Sequence, residues 1–127
     1  MQMPKPDESV IAQREELAAG LREIVPGEGV IDGEEELRAF DCDGLMAYKQ
    51  LPLIVVLPET TKQVSDILKY CHANNVKIVP RGAGTGLSGG ALPLADAITL
   101  GLGKFKKILD IDFENRCVVT QPGVTNL

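Results

Sequence analysis

The sequence predicts an α+β protein, and three observations carry that expectation. Apolar residues recur with a helical period over residues 9–25 and again after residue 60. Short apolar runs of strand length stand at 51–57, 76–79 and 97–102. The second helical stretch lies between the first two runs, so strand, helix and strand make a βαβ unit, for which a right-handed crossover is expected. With 127 residues, 44% of them hydrophobic and 24% charged, the composition is that of a single ordinary globular domain.

Residues 1–6 are expected to fray. Over 9–25, Val10, Leu17, Leu21 and Ile24 share one face and Glu15 and Glu16 the other. This is one amphipathic helix, capped by Ser9 or Asp7 and stopped by Pro26-Gly27. Gly29-Val30-Ile31 is a short extended piece, and 33–38 gives one or two helical turns. Glu34, Glu35 and Glu36 are a solvated helix start rather than a metal site, because successive helical residues point in different directions. The turn-forming F-D-C-D-G-L at 40–45 follows. Its Asp41 and Asp43 could share one side of an extended segment, but acid–base work needs a cleft that the sequence does not display, so the pair is read as structural.

Residues 51–57 are apolar without alternation, as in a buried strand. Thr60 with Gln63 makes a capping box, Val64, Ile67, Leu68 and Cys71 form the helix stripe, and Asn74-Asn75 ends it in a left-handed cap. His72, the one histidine, reads as a partly buried packing residue rather than a catalytic base. Cys42, Cys71 and Cys117 are odd in number, widely spaced and lack C-x-x-C, which argues against a disulfide framework and against a zinc or iron–sulfur site in this segment. They are expected to be reduced and mostly buried. Residues 97–102 are a third strand, and 105–112 with 117–121 form a hairpin around Glu114-Asn115. Pro122-Gly123 then bends the chain. Lys104, Lys106 and Lys107 are read as a solvated loop.

The strand at 76–79 delivers the chain to V-P-R-G-A-G-T-G-L-S-G-G at 79–90, with five glycines in nine positions. Each glycine weakens a helix or strand by about 0.5–1 kcal/mol relative to alanine, so packing alone does not gather so many. Without side chains, successive backbone N–H groups can converge on an anion, and phosphate is the expected guest. The Walker spacing fails for want of a lysine. Gly84-x-Gly86-x-x-Gly89 fits the dinucleotide spacing, but Gly90 and then Pro93 oppose the helix that should open there. Asp110 lies near the ribose-binding spacing, which keeps a nicotinamide-binding domain as an alternative. The preferred reading is a nest for a pyrophosphate, built from the amides of residues 82–86, with Thr85 and Ser88 hydroxyls and a charge-assisted bond from Arg81.

Charge is uneven. Residues 1–60 carry thirteen acids and five bases, and 61–127 five acids and eight bases, within a net charge of −5. The loop lies in the positive part, while the absence of a basic, aromatic-interleaved stripe argues against nucleic acid as a partner. The longest apolar run falls well short of the ~20 residues of a membrane helix. Asp7 and Glu8, with no apolar stretch beside them, give no secretory signal, so a cytoplasmic location is expected.

P-R-G-A-G-T-G-L-S-G-G-A-L-P at 80–93, F-D-C-D-G-L at 40–45 and Q-P-G-V-T-N-L at 121–127 carry a family resemblance over residues 21–127. The chain resembles the amino-terminal part of FAD-linked oxidases with a vanillyl-alcohol-oxidase-type (PCMH-type) FAD domain. Within that group it is most similar to the flavin-subunit family of bacterial glycolate oxidases, beside D-lactate and D-2-hydroxyglutarate dehydrogenases.

The resemblance implies a helical extension at 1–50 and the first, incomplete lobe of an FAD-binding domain at 51–127. It implies oxidation of a small 2-hydroxy acid, glycolate to glyoxylate before D-lactate or D-2-hydroxyglutarate. Electrons would leave through partner subunits that include an iron–sulfur protein, and any contact with the inner membrane would be made through them. The implied cofactor residues are Pro80, Arg81, Gly82, Ala83, Gly84, Thr85, Gly86, Ser88 and Gly89, together with Pro122, Gly123 and Val124. Several relatives carry a flavin-linked histidine at the position of Thr85, so FAD is expected to be non-covalent here. The family fold continues into a second lobe and a substrate cap, so neither general base nor carboxylate clamp is expected among these residues. The isolated chain is expected to be inactive and to hold FAD weakly or not at all.

Overall fold

The computed structural model describes residues 3–125. Within them the chain runs α1 (Glu8–Ala12), α2 (Arg14–Ile24), β1 (Val30–Ile31), α3 (Glu34–Leu37) with a 3-10 turn at Arg38–Phe40, β2 (Ile54–Val56), α4 (Thr61–Ala73), β3 (Lys77–Arg81), β4 (Ala97–Gly101), β5 (Ile108–Asp112) and β6 (Cys117–Thr120).

Burial decides where each strand sits. All five residues of β4 are buried, as are all three of β2, whereas β3 exposes Lys77 and Pro80. Strands apolar on both faces belong in the middle of a parallel sheet, and a proline without an N–H is tolerated at an edge. The sheet order is accordingly β1-β2-β4-β3, with β2 and β3 both parallel to β4 and β1 antiparallel to β2. The two strands that flank α4 are therefore parallel in one sheet, as expected of a βαβ unit, with β4 lying between them. The strand expected at 76–79 also extends further, so Pro80 and Arg81 are part of β3 rather than of the loop.

The helices cover this sheet through one apolar cluster that joins Leu17 and Leu21 of α2, Ile67 and Cys71 of α4, Ile54 and Val56 of β2, and Ile98 and Leu100 of β4. Residues before and after position 51 thus share a core. Thr60 caps α4 with Gln63 in a reciprocal box, and Asn75 closes the helix at φ 54°.

Several local expectations are corrected. The helix expected over 9–25 is two, broken at Gln13 (φ −90°, ψ 7°). Asp7 pins the first piece, its carboxylate accepting from the Ser9 N–H while its own N–H donates to Asp96. Arg14 ties the second piece to the Asp32 carbonyl, so each piece answers a separate anchor. On α4 the buried stripe is narrower than its period implies, because Leu68 and His72 face solvent. Of the cysteines only Cys71 is buried, which pushes its thiol up to about 11; Cys42 is half-buried and Cys117 exposed on β6.

The β5–β6 hairpin forms as expected, with Arg116 at φ 54° in its turn and Asn115 bonded to the Asp112 carboxylate. It is a separate two-stranded sheet on which Ile108, Leu109, Ile111, Phe113, Val118 and Val119 are all exposed.

One buried carboxylate ties the amino terminus to the sheet. Asp96 accepts from the Lys77 ammonium at 2.6 Å and from the Asp7 N–H at 2.9 Å. Burial pushes the Asp96 carboxyl up, but these donors outweigh it and hold the pKa below the usual value. A depressed folded-state pKa means that the contribution is present above the unfolded value, about 3.9, and lost as pH falls through the folded one. Asp96→Asn should therefore lower the urea midpoint at pH 7, and the gap to the parent should close as the titration is taken below about pH 4. A gap unchanged by acid would rule out this linkage.

Candidate cofactor cleft at the ends of β3 and β4

β3 and β4 pair in parallel from Lys77↔Ala97 to Arg81↔Gly101, and the Leu102 N–H extends the ladder to the Arg81 carbonyl at 2.9 Å. The two strands therefore end together. β3 runs directly into Gly82, and β4 passes through Leu102 to Gly103. The chain returns to this point after β6, where Gly123 N–H donates to the Phe105 carbonyl at 2.8 Å and Val124 N–H to that of Gln121 at 3.2 Å. The three segments enclose a cleft of about 440 Å³. Gly82 and Ala83 line it from the loop, Leu102, Gly103 and Lys106 from beyond β4, and Pro122, Gly123, Val124 and Thr125 from the returning turn.

The loop's backbone donors are unspent. Among the described residues, no N–H group from Gly82 through Gly90 finds an acceptor, whereas Ala91 and Leu92 immediately after them do. A Cβ built at Gly82 would meet nothing within 4 Å, so the protein's own packing does not call for glycine there and the space beside it is open. Gly84 differs: its φ is +73°, and the Arg81 guanidinium fills the space a Cβ would take.

The turn at 40–45 holds the loop from beneath. Asp43 is buried, and its carboxylate accepts from Leu45 N–H at 2.9 Å and from Ala91 N–H at 3.3 Å. Arg81 donates from Nη1 to the Cys42 carbonyl at 2.5 Å and lies 5.6 Å over the Phe40 ring. A Cβ on Gly44 would sit 2.6 and 2.7 Å from the Thr85 and Gly86 carbonyl oxygens, so the two backbones pack directly together. A hydrogen bond to Asp41, then burial, holds the Cys42 thiol above its ordinary pKa.

Of the residues singled out from sequence, Gly82, Ala83, Pro122, Gly123 and Val124 meet in the cleft. Pro80 and Arg81 close β3, and Gly84, Thr85 and Gly86 lie over the turn that holds the loop. Ser88 is exposed, and Gly89 stands beside Leu45. Leu102, Gly103, Lys106 and Thr125 were missed. The glycine just past a strand end could have marked Gly103, while Lys106 was read with its neighbours as solvated. No helix follows Gly89 before β4, so the condition for a nicotinamide-type loop is not met. Among the described residues no group of three or more His, Cys, Asp or Glu could hold a metal, and no helix is long and apolar enough to cross a membrane.

Open amides and apolar walls beyond the carboxyl ends of parallel strands fit a nucleotide cofactor, and the fold is that of a PCMH-type FAD-binding domain. The family model for the FAD binding domain matches residues 52–127, and the chain belongs to this family.

The chain is 50% identical over 114 residues to glycolate oxidase subunit GlcD of Escherichia coli (strain K12), a match covering 90% of this chain and 23% of that protein. It is 33% identical over 102 residues to the mitochondrial D-2-hydroxyglutarate dehydrogenase of Arabidopsis thaliana, covering 80% and 18%. A solved structure of p-cresol methylhydroxylase with substrate bound superposes with a TM-score of 0.76 at 22% identity, over 97% of this chain and 24% of that one. The chain thus spans less than a quarter of the length of these relatives.

Asp43→Ala would leave the Leu45 and Ala91 amides without acceptors and should cost about 1–3 kcal/mol in urea unfolding, with Asp43→Asn intermediate because it keeps one acceptor oxygen. An unchanged midpoint for Asp43→Ala would show that the turn does not hold the loop.

Proposed function

We propose that this chain supplies the pyrophosphate-binding part of the FAD site of an oxidoreductase that oxidises a 2-hydroxy acid, glycolate to glyoxylate. The observation that carries this reading is the run of unspent amides from Gly82 to Gly90 at the paired ends of β3 and β4. Similarity to GlcD over 90% of the chain supports the choice of substrate. Similarity to a D-2-hydroxyglutarate dehydrogenase supports the second reading, a longer or bulkier 2-hydroxy acid on the same cofactor.

FAD, when bound, supplies the two-electron acceptor for the oxidation. The work of these residues is to bind, orient and exclude water. Amides of Gly82, Ala83, Gly84, Thr85 and Gly86 donate to phosphate oxygens, with the Thr85 and Ser88 hydroxyls as further donors. Gly123 and Val124 have already spent their N–H groups, and Pro122 has none, so their turn borders the cofactor as a shaped, apolar side. Thr85 offers no imidazole for a covalent link, so the cofactor is held non-covalently. The protein works in the cytoplasm and passes electrons to partner subunits, an iron–sulfur protein among them, which also make any contact with the inner membrane.

The full-length protein should be yellow with a flavin spectrum, and should reduce an artificial acceptor faster with glycolate than with D-lactate or D-2-hydroxyglutarate. A colourless preparation without turnover on any of the three would overturn this reading. The 127-residue chain alone should give no saturable quenching of FAD fluorescence up to ~100 μM, and micromolar saturation would contradict that expectation.

A further inference from the structure

The cation next to the loop is Arg81, the last residue of β3, and the structure turns it away from the cleft. Its guanidinium donates to the Cys42 carbonyl, lies over Phe40 and fills the space beside Gly84. The cleft nevertheless has a charged side chain. Lys106 lines it, and among the described residues no carboxylate does.

Neither neighbouring lysine lines the cleft. Lys104 pairs with Glu59 at 3.0 Å, and the backbone at Lys107 is tied in both directions to Gln121. The Lys106 N–H donates to the Lys104 carbonyl at 3.0 Å, which fixes the turn that presents it, and its ammonium makes no ion pair among the described residues. Lys106 lines the same cleft as Gly82 and Ala83 and has no ion pair among the described residues, so an ammonium on a flexible stem is available there to an anion that the open amides would also bind.

We propose that Lys106, rather than Arg81, supplies the side-chain positive charge of this cleft, its ammonium contacting the phosphate oxygens of the dinucleotide pyrophosphate held by the Gly82–Gly86 amides. The assignment rests on the cofactor reading above and adds a residue that reading does not contain.

The test measures FAD and riboflavin dissociation constants on full-length apoprotein by fluorescence quenching, for the parent, Lys106→Gln, Lys106→Arg and Gly82→Val. Lys106→Gln should weaken FAD about tenfold and flatten the salt dependence, as loss of one charge-assisted bond requires, while riboflavin, which has no phosphate, binds unchanged. Lys106→Arg should restore most of the loss. Lys106 is exposed, so thermal melting of these variants should match the parent. If Lys106→Gln binds FAD like the parent while Gly82→Val does not, the assignment of Lys106 fails and the cofactor reading stands. Equal weakening of riboflavin and FAD by Lys106→Gln would also overturn the assignment. If Gly82→Val binds FAD like the parent, the cofactor reading fails and Lys106 falls with it.

Discussion

The parallel pairing of β3 with β4 is the constraint from which the site follows. Two parallel strands in register must end on the same side of the sheet, and here the ladder holds through Arg81 and Leu102. Both chains then have to leave the sheet from adjacent positions. Gly82 lies at the first exit and Gly103 at the second, so no Cβ crowds the space between them. The cleft is thus a consequence of topology before it is a consequence of any side chain. The order β1-β2-β4-β3 produces it by placing the most buried strand in the interior and the strand that contains a proline at the edge.

A glycine-rich loop would otherwise be a poor binding element, because fixing each residue's backbone costs about 1–2 kcal/mol. The turn at 40–45 meets part of that cost before any ligand arrives. It reaches the loop at its start through Arg81 and Cys42, at its middle through Gly44 against the Thr85 and Gly86 carbonyls, and at its end through Asp43 and Ala91. All of these contacts use carbonyls, one side chain or the amide of Ala91, and none uses an amide from Gly82 to Gly90. The loop is ordered without consuming the donors it is ordered to present.

Much of this was legible in the sequence wherever the governing physics is local. The Thr60–Gln63 box, the left-handed Asn75 and the hairpin around Glu114-Asn115 all depend on a few adjacent residues, and each is present as read. Strand order was not legible, because the pattern of β2 and β3 says that each is a strand and nothing about what lies between them. Exposure failed for a related reason. His72, Leu68 and Cys117 carry apolar or amphipathic side chains at plausible packing positions, but α2 covers only part of α4, and the hairpin stands outside the main sheet. Arg81 is bonded to the Cys42 carbonyl and lies off the cleft while Lys106 lines it, because adjacency to the glycines in sequence is a different matter from lining the cleft.

The hairpin bears on the cleft more directly than its separate sheet implies. Leu102 and Pro122 line both the cleft and a second hollow that reaches Thr61, Val64, Phe105, Leu109 and Thr120. Gln121 joins the end of β6 to Lys107 through its backbone N–H and its side-chain carbonyl, each at 2.9 Å. The returning turn is therefore placed by the hairpin and by Phe105, not by the four-stranded sheet. A two-stranded sheet is at best marginally stable in water, and this one exposes six large apolar side chains. The loop side of the cleft is anchored to a buried parallel ladder and the turn side to a much weaker element. Whatever steadies the apolar face of β5 and β6 also sets how firmly Pro122 to Val124 can close against Gly82 and Ala83, so the shape of the cleft depends on packing well outside it.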